Sequence, residues 1–287
     1  MNCTPPPIFL TLRNELGNCV LKEMPINKFK KNLLSGENQY GLWLSLADTY
    51  CAEICAGAGF DWLLIDAEHG PNDLRSILAQ LQAIAPYMAQ AVVRPPQGDT
   101  VLIKQLLETG IQTLLVPMVE TAAQAQELVC AMRYPTQGVR GVGSAIARAS
   151  RWGRYENYLE CANQEVCLLV QVETVLGIKN LADIVDVDGV DGVFFGAADL
   201  AASMGYLGQS NNPEVVEVIA SGLKYVKSQG KAGGILSGDK NLVDYYRAAG
   251  ANFLALGVDS LLLAKASSEL LAQYRLEGSS GVAPALY

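Results

Sequence analysis

From Tyr40 onward, short apolar runs rich in Val, Ile and Leu alternate with amphipathic stretches of roughly ten to fifteen residues, the pattern of repeated βα units. Eight such runs occur: Gly41–Leu46, Trp62–Asp66, Ala91–Arg94, Thr113–Met118, Leu168–Glu173, Gly192–Gly196, Ala232–Leu236 and Phe253–Gly257. Their near-continuous apolarity suits strands of a parallel sheet that is covered on both faces. Between them, Asp73–Ala85 sets Leu74, Ile77, Leu78 and Leu81 on one stripe, the period of a helix packed on a core. Pro213 stands where the first turn of a helix over Glu214–Ser228 tolerates proline, because an N–H there has no intrahelical partner.

These runs alone do not separate a doubly wound open sheet from a closed barrel. The placement of polar residues does. At or just past the strand ends come Asp66 with Glu68 and His69, Arg94, Pro117 with Met118, Glu173, Asp199, Leu236 and Asp259. A (β/α)8 barrel gathers all its strand ends around one mouth, whereas an open sheet spreads them along an edge. No GxGxxG opens the first helix, which removes the main support for a dinucleotide fold. The expectation is one TIM (β/α)8 barrel over residues 39–276, after an extension, 1–38, that is partly disordered or helical, and before a tail, 277–287. Pro5-Pro6-Pro7 and the lack of a sustained period set the residues before Met24 apart. Met24-Pro25-Ile26-Asn27 would serve equally well as a protein start, which N-terminal sequencing of natively expressed protein decides.

Composition narrows the class. The 287 residues are 50% hydrophobic and 17% charged, enough apolar surface to order one large domain. A formal net charge of -8 argues against a nucleic-acid partner, so an anionic substrate would need local positive charge. Seven cysteines without CxxC spacing fit reduced thiols and the cytoplasm better than disulfides or a zinc site. Cys51 and Cys55, four apart on an expected helix, are read as buried structural thiols and not as ligands. No apolar run reaches the ~18 residues that span a bilayer, and the first forty residues lack a basic start followed by an apolar run, so a soluble, unexported protein is expected.

His69 is the one histidine, so HExxH and three-histidine zinc sites are excluded and any histidine base must be His69. A lone histidine is commonly structural; its strand-end position beside carboxylates favours function. Glu173 and Asp199 end consecutive strands and suit a hard, oxygen-liganded dication such as Mg²⁺ or Mn²⁺. The bland alternative is that each caps the helix after its strand. Gly196, Ala197 and Ala198 leave room for a substrate carboxylate to reach backbone N–H groups at a helix start. Arg94 either clamps a keto acid or forms an internal salt bridge. Lys104, Lys179 and Lys224 fall in helical stretches and Lys231 precedes its strand, which leaves no Schiff-base lysine at the mouth and favours metal assistance. The long stretch from Arg133 to Cys167, with Arg148, Arg151, Trp152 and Arg154, is read either as a mobile positive cover over the mouth or as a surface excursion whose arginines pair with acids.

Several motifs carry a family likeness: Gly41-Leu42-Trp43-Leu44, Asp61 through Asn72 around Asp66-Ala67-Glu68-His69, Val93-Arg94-Pro95, Leu115-Val116-Pro117-Met118-Val119, Arg133-Tyr134-Pro135, Arg140-Gly141-Val142-Gly143, Gln171-Val172-Glu173 and Gly192-Val193-Phe194-Phe195-Gly196. In this order, from about Tyr40 to Tyr274, they resemble the HpcH/HpaI aldolase family. The resemblance implies a class II, pyruvate-specific aldolase that uses Mg²⁺, Mn²⁺ or Co²⁺ and splits a 4-hydroxy-2-oxo acid, of the heptanedioate or 2-keto-3-deoxy sugar acid kind, to pyruvate and an aldehyde. It implies Glu173 and Asp199 as metal ligands, His69 as base with Asp66 supporting it, and Arg94 as stabiliser of the enolate. Gln171 would lie beside the metal, the backbone of Ala198 and Asp199 would hold the pyruvate carboxylate, and Leu236 would line the aldehyde pocket. It also implies a homohexamer, a dimer of trimers with exchanged C-terminal helices.

Two departures stand out: Ala197 replaces a proline usual in the family's turn before the ligand, and Glu108 falls where relatives often bring an aspartate across a subunit boundary. The competing readings are an acyl-CoA hydroxyacid lyase on the same scaffold, whose CoA phosphates would need the Arg148–Arg154 segment, and a non-catalytic ring-forming barrel.

Overall fold

The computed structural model describes residues 23–276, so the disorder expected before Met24 and the tail 277–287 fall outside the described residues. Eight parallel strands close into a barrel in sequence order: β1 (Gln39–Leu44), β2 (Trp62–Asp66), β3 (Gln90–Arg94), β4 (Thr113–Val116), β5 (Cys167–Val172), β6 (Val190–Phe195), β7 (Ala232–Leu236) and β8 (Phe253–Val258). The open-sheet alternative is thereby excluded.

Strand alternation builds the interior. Trp62 and Leu64 of β2, Val92 of β3, Leu115 of β4, Leu169 of β5, Phe194 of β6 and Phe253 and Ala255 of β8 meet in one buried cluster inside the barrel. Their neighbours Leu63, Ile65, Val93, Leu114 and Leu168 join the larger cluster beneath the surrounding helices. Continued by two residues, the inward rows end in Asp66, Arg94 and Gln171, so the period that fills the core also aims polar groups into the mouth. Gly41 leaves the space that the Trp62 indole occupies; any side chain there would overlap it.

The opposite end is plugged by helix Lys28–Leu34, part of the expected extension. Asn27 caps it by accepting from the Lys30 N–H and donates to Thr113 Oγ1 at 3.0 Å. Phe29 and Leu33 point into the barrel, with the Phe29 ring 5.7 Å from Trp62 and 6.2 Å from Phe253. The expected helices form where the stripe and caps place them: Leu74–Ile84 behind a capping box of Asp73 and Ser76, and Pro213–Ser228 behind Asn212.

Two strands, β1 and β4, stop two residues short of their apolar runs for visible reasons. β4 ends at Val116 because Pro117 has no N–H and Met118 turns to φ 56°, giving its own N–H to Glu173 Oε1 at 2.8 Å. β1 ends at Leu44 because the N–H groups of Ser45 and Leu46 go to the Asp259 carboxylate, at 2.8 and 3.3 Å.

The expected positive cover is corrected. Helix Ala122–Met132 carries the chain back from the mouth, so the stretch after it lies toward the barrel's other end. There Arg148 Nη1 donates to Thr109 O at 2.5 Å, four residues before β4 begins, and the Met24 N–H donates to Asn157 Oδ1 at 2.9 Å. Arg140 and Arg133 pair with Glu108 and Asp188, as the surface-excursion reading expects, whereas Arg148, Arg151 and Arg154 donate to the backbone carbonyls of Thr109, Arg148 and Arg151 and not to acids. Glu108 is thus engaged inside its own chain. Cys51 and Cys55 do lie on one helix, Thr49–Ala56, but as free, half-buried thiols and not as core residues. Helix Asp259–Leu276 leaves the barrel, and Leu261, Leu262, Leu263, Leu270, Leu271 and Tyr274 on it are exposed. Among the described residues, no helix is long and apolar enough to cross a membrane.

Candidate active site

At the C-terminal mouth a cavity of about 540 Å³ is lined by Asp66, His69, Arg94, Gln171, Ala198, Asp199 and Leu236, together with Trp43, Ser45, Phe194, Val258 and Ser260. Seven of the eight residues singled out in the sequence therefore meet in one space. The eighth, Glu173, lies 2% exposed just behind Gln171.

Asp66 and Arg94 are direct partners in the β2–β3 register, which sets up a two-point ion pair. Arg94 Nε donates to Asp66 Oδ1 at 2.8 Å and Nη2 to Oδ2 at 2.7 Å. Arg94 Nη1 stands 2.9 Å from Glu68 Oε2 and 3.5 Å from Gln171 Oε1, and the guanidinium lies 5.3 Å from the Trp43 ring centre. The internal salt bridge and the cavity-facing guanidinium, set as alternatives on sequence, are both present.

His69 is placed by its backbone. Asp66 Oδ1 accepts from the N–H groups of Glu68 and His69, at 3.1 and 3.4 Å. The imidazole itself is 67% exposed, with Nε2 3.8 Å from Glu68 Oε2. Asp66 therefore fixes the loop that carries the histidine, while the acid nearest the ring is Glu68. Glu68 Oε2 is buried and accepts no well-directed hydrogen bond. Burial pushes its carboxyl up from the ordinary range against the pull of Arg94 and His69, and the charges of Asp66 and Asp199 add to the rise.

Glu173 receives the Met118 N–H on Oε1 and the Gln171 amide on Oε2. Gly196 makes this possible, since a Cβ at that position would fall on the Glu173 carboxylate. Burial raises the Glu173 carboxyl most, repulsion from Asp199 and Glu68 adds to it, and the two hydrogen bonds oppose it. Asp199 is exposed in the first turn of helix Ala197–Ser203, whose start has no side-chain cap, so the capping role weighed for Asp199 is not the one it plays. Ala197 occupies the first helical position, and the helix forms without the proline usual there.

The sequence reading missed Ser45, Ser260, Trp43 and Phe194 as cavity residues. Trp43 and Phe194 carried a signal, since each lies on an inward row; the two serines carried none. The lysines expected away from the mouth stay away: none of Lys104, Lys179, Lys224 and Lys231 lines the cavity, and Lys231 donates to Val190 O at 2.7 Å. None of Arg148, Arg151 and Arg154 lines the cavity either, which takes away the phosphate site that an acyl-CoA substrate would need.

Comparisons with known proteins agree with this geometry. The model of the family described as HpcH/HpaI aldolase/citrate lyase matches residues 39–266. A Deinococcus radiodurans protein named hydroxypyruvate/pyruvate aldolase is 61% identical over 249 residues, 87% of this chain and 90% of its own length. An Escherichia coli protein named 4-hydroxy-2-oxo-heptane-1,7-dioate aldolase is 54% identical over 261 residues, 91% of this chain and 99% of its own. A solved structure from Burkholderia cenocepacia, titled as a family protein, superposes with a TM-score of 0.83 at 39% identity, over 87% of this chain and 99% of that one. With the match spanning the closed barrel and every strand that feeds its mouth, the chain belongs to the HpcH/HpaI aldolase/citrate lyase family.

Proposed function

We propose that this aldolase reversibly cleaves a 4-hydroxy-2-oxo acid to pyruvate and an aldehyde, with a divalent metal ion held by Glu173 and Asp199. The observation that carries the metal reading is the charge at the mouth. Of the carboxylates there, Asp66 and Glu68 pair with Arg94 while Glu173 and Asp199 do not, and burial together with repulsion from neighbouring carboxylates pushes Glu68 and Glu173 toward protonation. Such an excess of hard oxygen donors suits Mg²⁺, Mn²⁺ or Co²⁺. Among the described residues no cluster of three His, Cys, Asp or Glu could hold an ion, so protein ligands would be two carboxylates and the rest water and substrate oxygens. The relatives' names support the keto-acid substrate class.

The ion, when bound, supplies a concentrated positive charge that polarises the keto acid. Arg94, held by Asp66 and Glu68, presents its guanidinium to the oxygen on which charge grows as the C3–C4 bond breaks. His69, the one imidazole at the mouth, takes the proton of the 4-hydroxyl group, and its exposure lets it return that proton through solvent. The electrons of the broken bond pass to C3 of the pyruvate unit, which is then protonated. Gln171 orients Glu173, Ala198 and Asp199 offer their backbone at the helix start to the substrate carboxylate, and Leu236 borders the space left for the aldehyde.

The apolar residues exposed on helix Asp259–Leu276 support exchange of this helix with a neighbouring copy in a hexamer built of two trimers. The five free thiols among the described residues support a reducing, cytoplasmic setting. Pyruvate release from a 4-hydroxy-2-oxo acid is expected to stop in excess EDTA and to return on adding Mg²⁺ or Mn²⁺. Undiminished turnover in the chelator, or in Glu173→Ala, would refute the ligand assignment.

A further inference from the structure

We propose that Ser260, oriented through Ser45 by Asp259, is a hydrogen-bond acceptor for a hydroxyl group on the aldehyde partner, so that the protein prefers hydroxyaldehydes to their alkyl counterparts. The inference rests on the aldolase reading of the same cavity. Gln171 and Asp199 reach the cavity from β5 and the loop after β6, whereas Ser45 and Ser260 follow β1 and β8. In a ring of eight strands in sequence order, β1 stands opposite β5, and β8 and β1 adjoin. The two serines therefore sit across the cavity from the proposed metal and keto-acid end, beside Leu236 and Val258.

Their protons can be assigned. Asp259 is 6% exposed and accepts from the N–H groups of Ser45 and Ser260, at 2.8 and 2.7 Å. Its Oδ1 also lies 3.0 Å from Ser45 Oγ. A carboxylate only accepts, so the Ser45 hydroxyl proton points at Asp259. Ser45 Oγ and Ser260 Oγ are 2.6 Å apart, and the one proton left to join them belongs to Ser260. Ser260 is thus left with lone pairs and no proton for a ligand. A hydroxyl can donate to it, whereas a carboxylate or carbonyl oxygen cannot. Among the described residues, Arg94 is the one Lys or Arg lining the cavity, and it is already paired with Asp66 and Glu68, so a distal carboxylate finds no free cation among them.

The test is condensation of pyruvate with glycolaldehyde, propanal and glyoxylate, comparing the wild type with Ser260→Ala and Ser260→Thr in the metal-loaded full chain. Glycolaldehyde and propanal have equal numbers of heavy atoms, so their kcat/KM ratio isolates the hydroxyl. Ser260→Ala is expected to lower the glycolaldehyde-to-propanal ratio by about fivefold, the loss of one neutral hydrogen bond. Ser260→Thr, which keeps the oxygen, is expected to retain the wild-type ratio, and the glyoxylate-to-propanal ratio is expected not to fall in Ser260→Ala. A Ser260→Ala ratio within about twofold of the wild type overturns the proposal, as does an equal fall for glyoxylate. Absence of carbon–carbon bond formation by the wild type with all three aldehydes would instead sink the aldolase reading, and this inference with it.

Discussion

Arg94 makes the chemistry of the mouth compatible with its stability. Its side chain, 7% exposed, offsets Asp66 at 2% and Glu68 at 17%, and taking away the guanidinium would leave two buried acids uncompensated, at about 3–5 kcal/mol. Glu173 has no such cation. Burial raises its folded-state carboxyl above the ordinary glutamate value, so the folded protein holds that proton more tightly than the unfolded chain does. The associated stability is present at low pH and is lost as pH rises from the ordinary glutamate range through the raised value. In metal-free protein, Glu173→Gln should therefore melt at a temperature that gains on the wild type as pH is raised from about 4.5 to about 8. A flat difference across thermal melts would show that ionised Glu173 is not a burden on the empty site. Gly196→Ala tests the same carboxylate sterically. The backbone there, φ -82°, accepts alanine, yet the new methyl falls on Glu173, so Mn²⁺ affinity by titration calorimetry should drop by about tenfold or more. Unchanged affinity would mean that Glu173 does not hold the ion.

Among the elements, helix Lys28–Leu34 shows how far from the chemistry the barrel's stability is set. Phe29 is fully buried against Trp62 and Phe253. Phe29→Ala should lower unfolding free energy by about 3–5 kcal/mol in urea while leaving KM for the keto acid near its wild-type value, because the plug and the mouth lie at opposite ends of the interior. A large KM change would mean that the interior layers transmit strain to the site. The strand runs were legible because period and apolarity agree: β2 and β7 have the bounds their runs define. The ends of β1 and β4 were not. Ser45 and Leu46 follow an apolar run and only the distant Asp259 takes their N–H groups out of the sheet, an event 213 to 214 positions away in sequence. The arginine-rich stretch stayed between two readings for a related reason. Its length and charge suggest a cover, whereas which end of the barrel it occupies depends on the helix before it having already run back down.

For the whole molecule, the long exposed helix at the C-terminal end is the feature a single chain does not satisfy. If the proposed hexamer forms through this helix, Leu262→Glu with Leu270→Glu, at positions about half exposed in the single chain, should leave the barrel's circular dichroism unchanged but reduce the mass seen by light scattering below that of the wild type. An unaltered hexamer would remove this helix from the interface. Sequence by itself determined the class of fold, the residues that end the strands and the family, because hydrophobic period, chain length and local motifs are properties of neighbours along the chain. The three-dimensional closure decided everything that depends on which ends meet. It set Asp66 against Arg94 rather than against the imidazole, gave Glu68 the place nearest His69, tucked Glu173 under Gly196, and joined Ser45 to Ser260 across the seam between first and last strands. Asp66 and Arg94, Glu173 and Gly196, and Ser45 and Ser260 stand 28, 23 and 215 positions apart, and strand register together with closure of the ring brings each pair into contact.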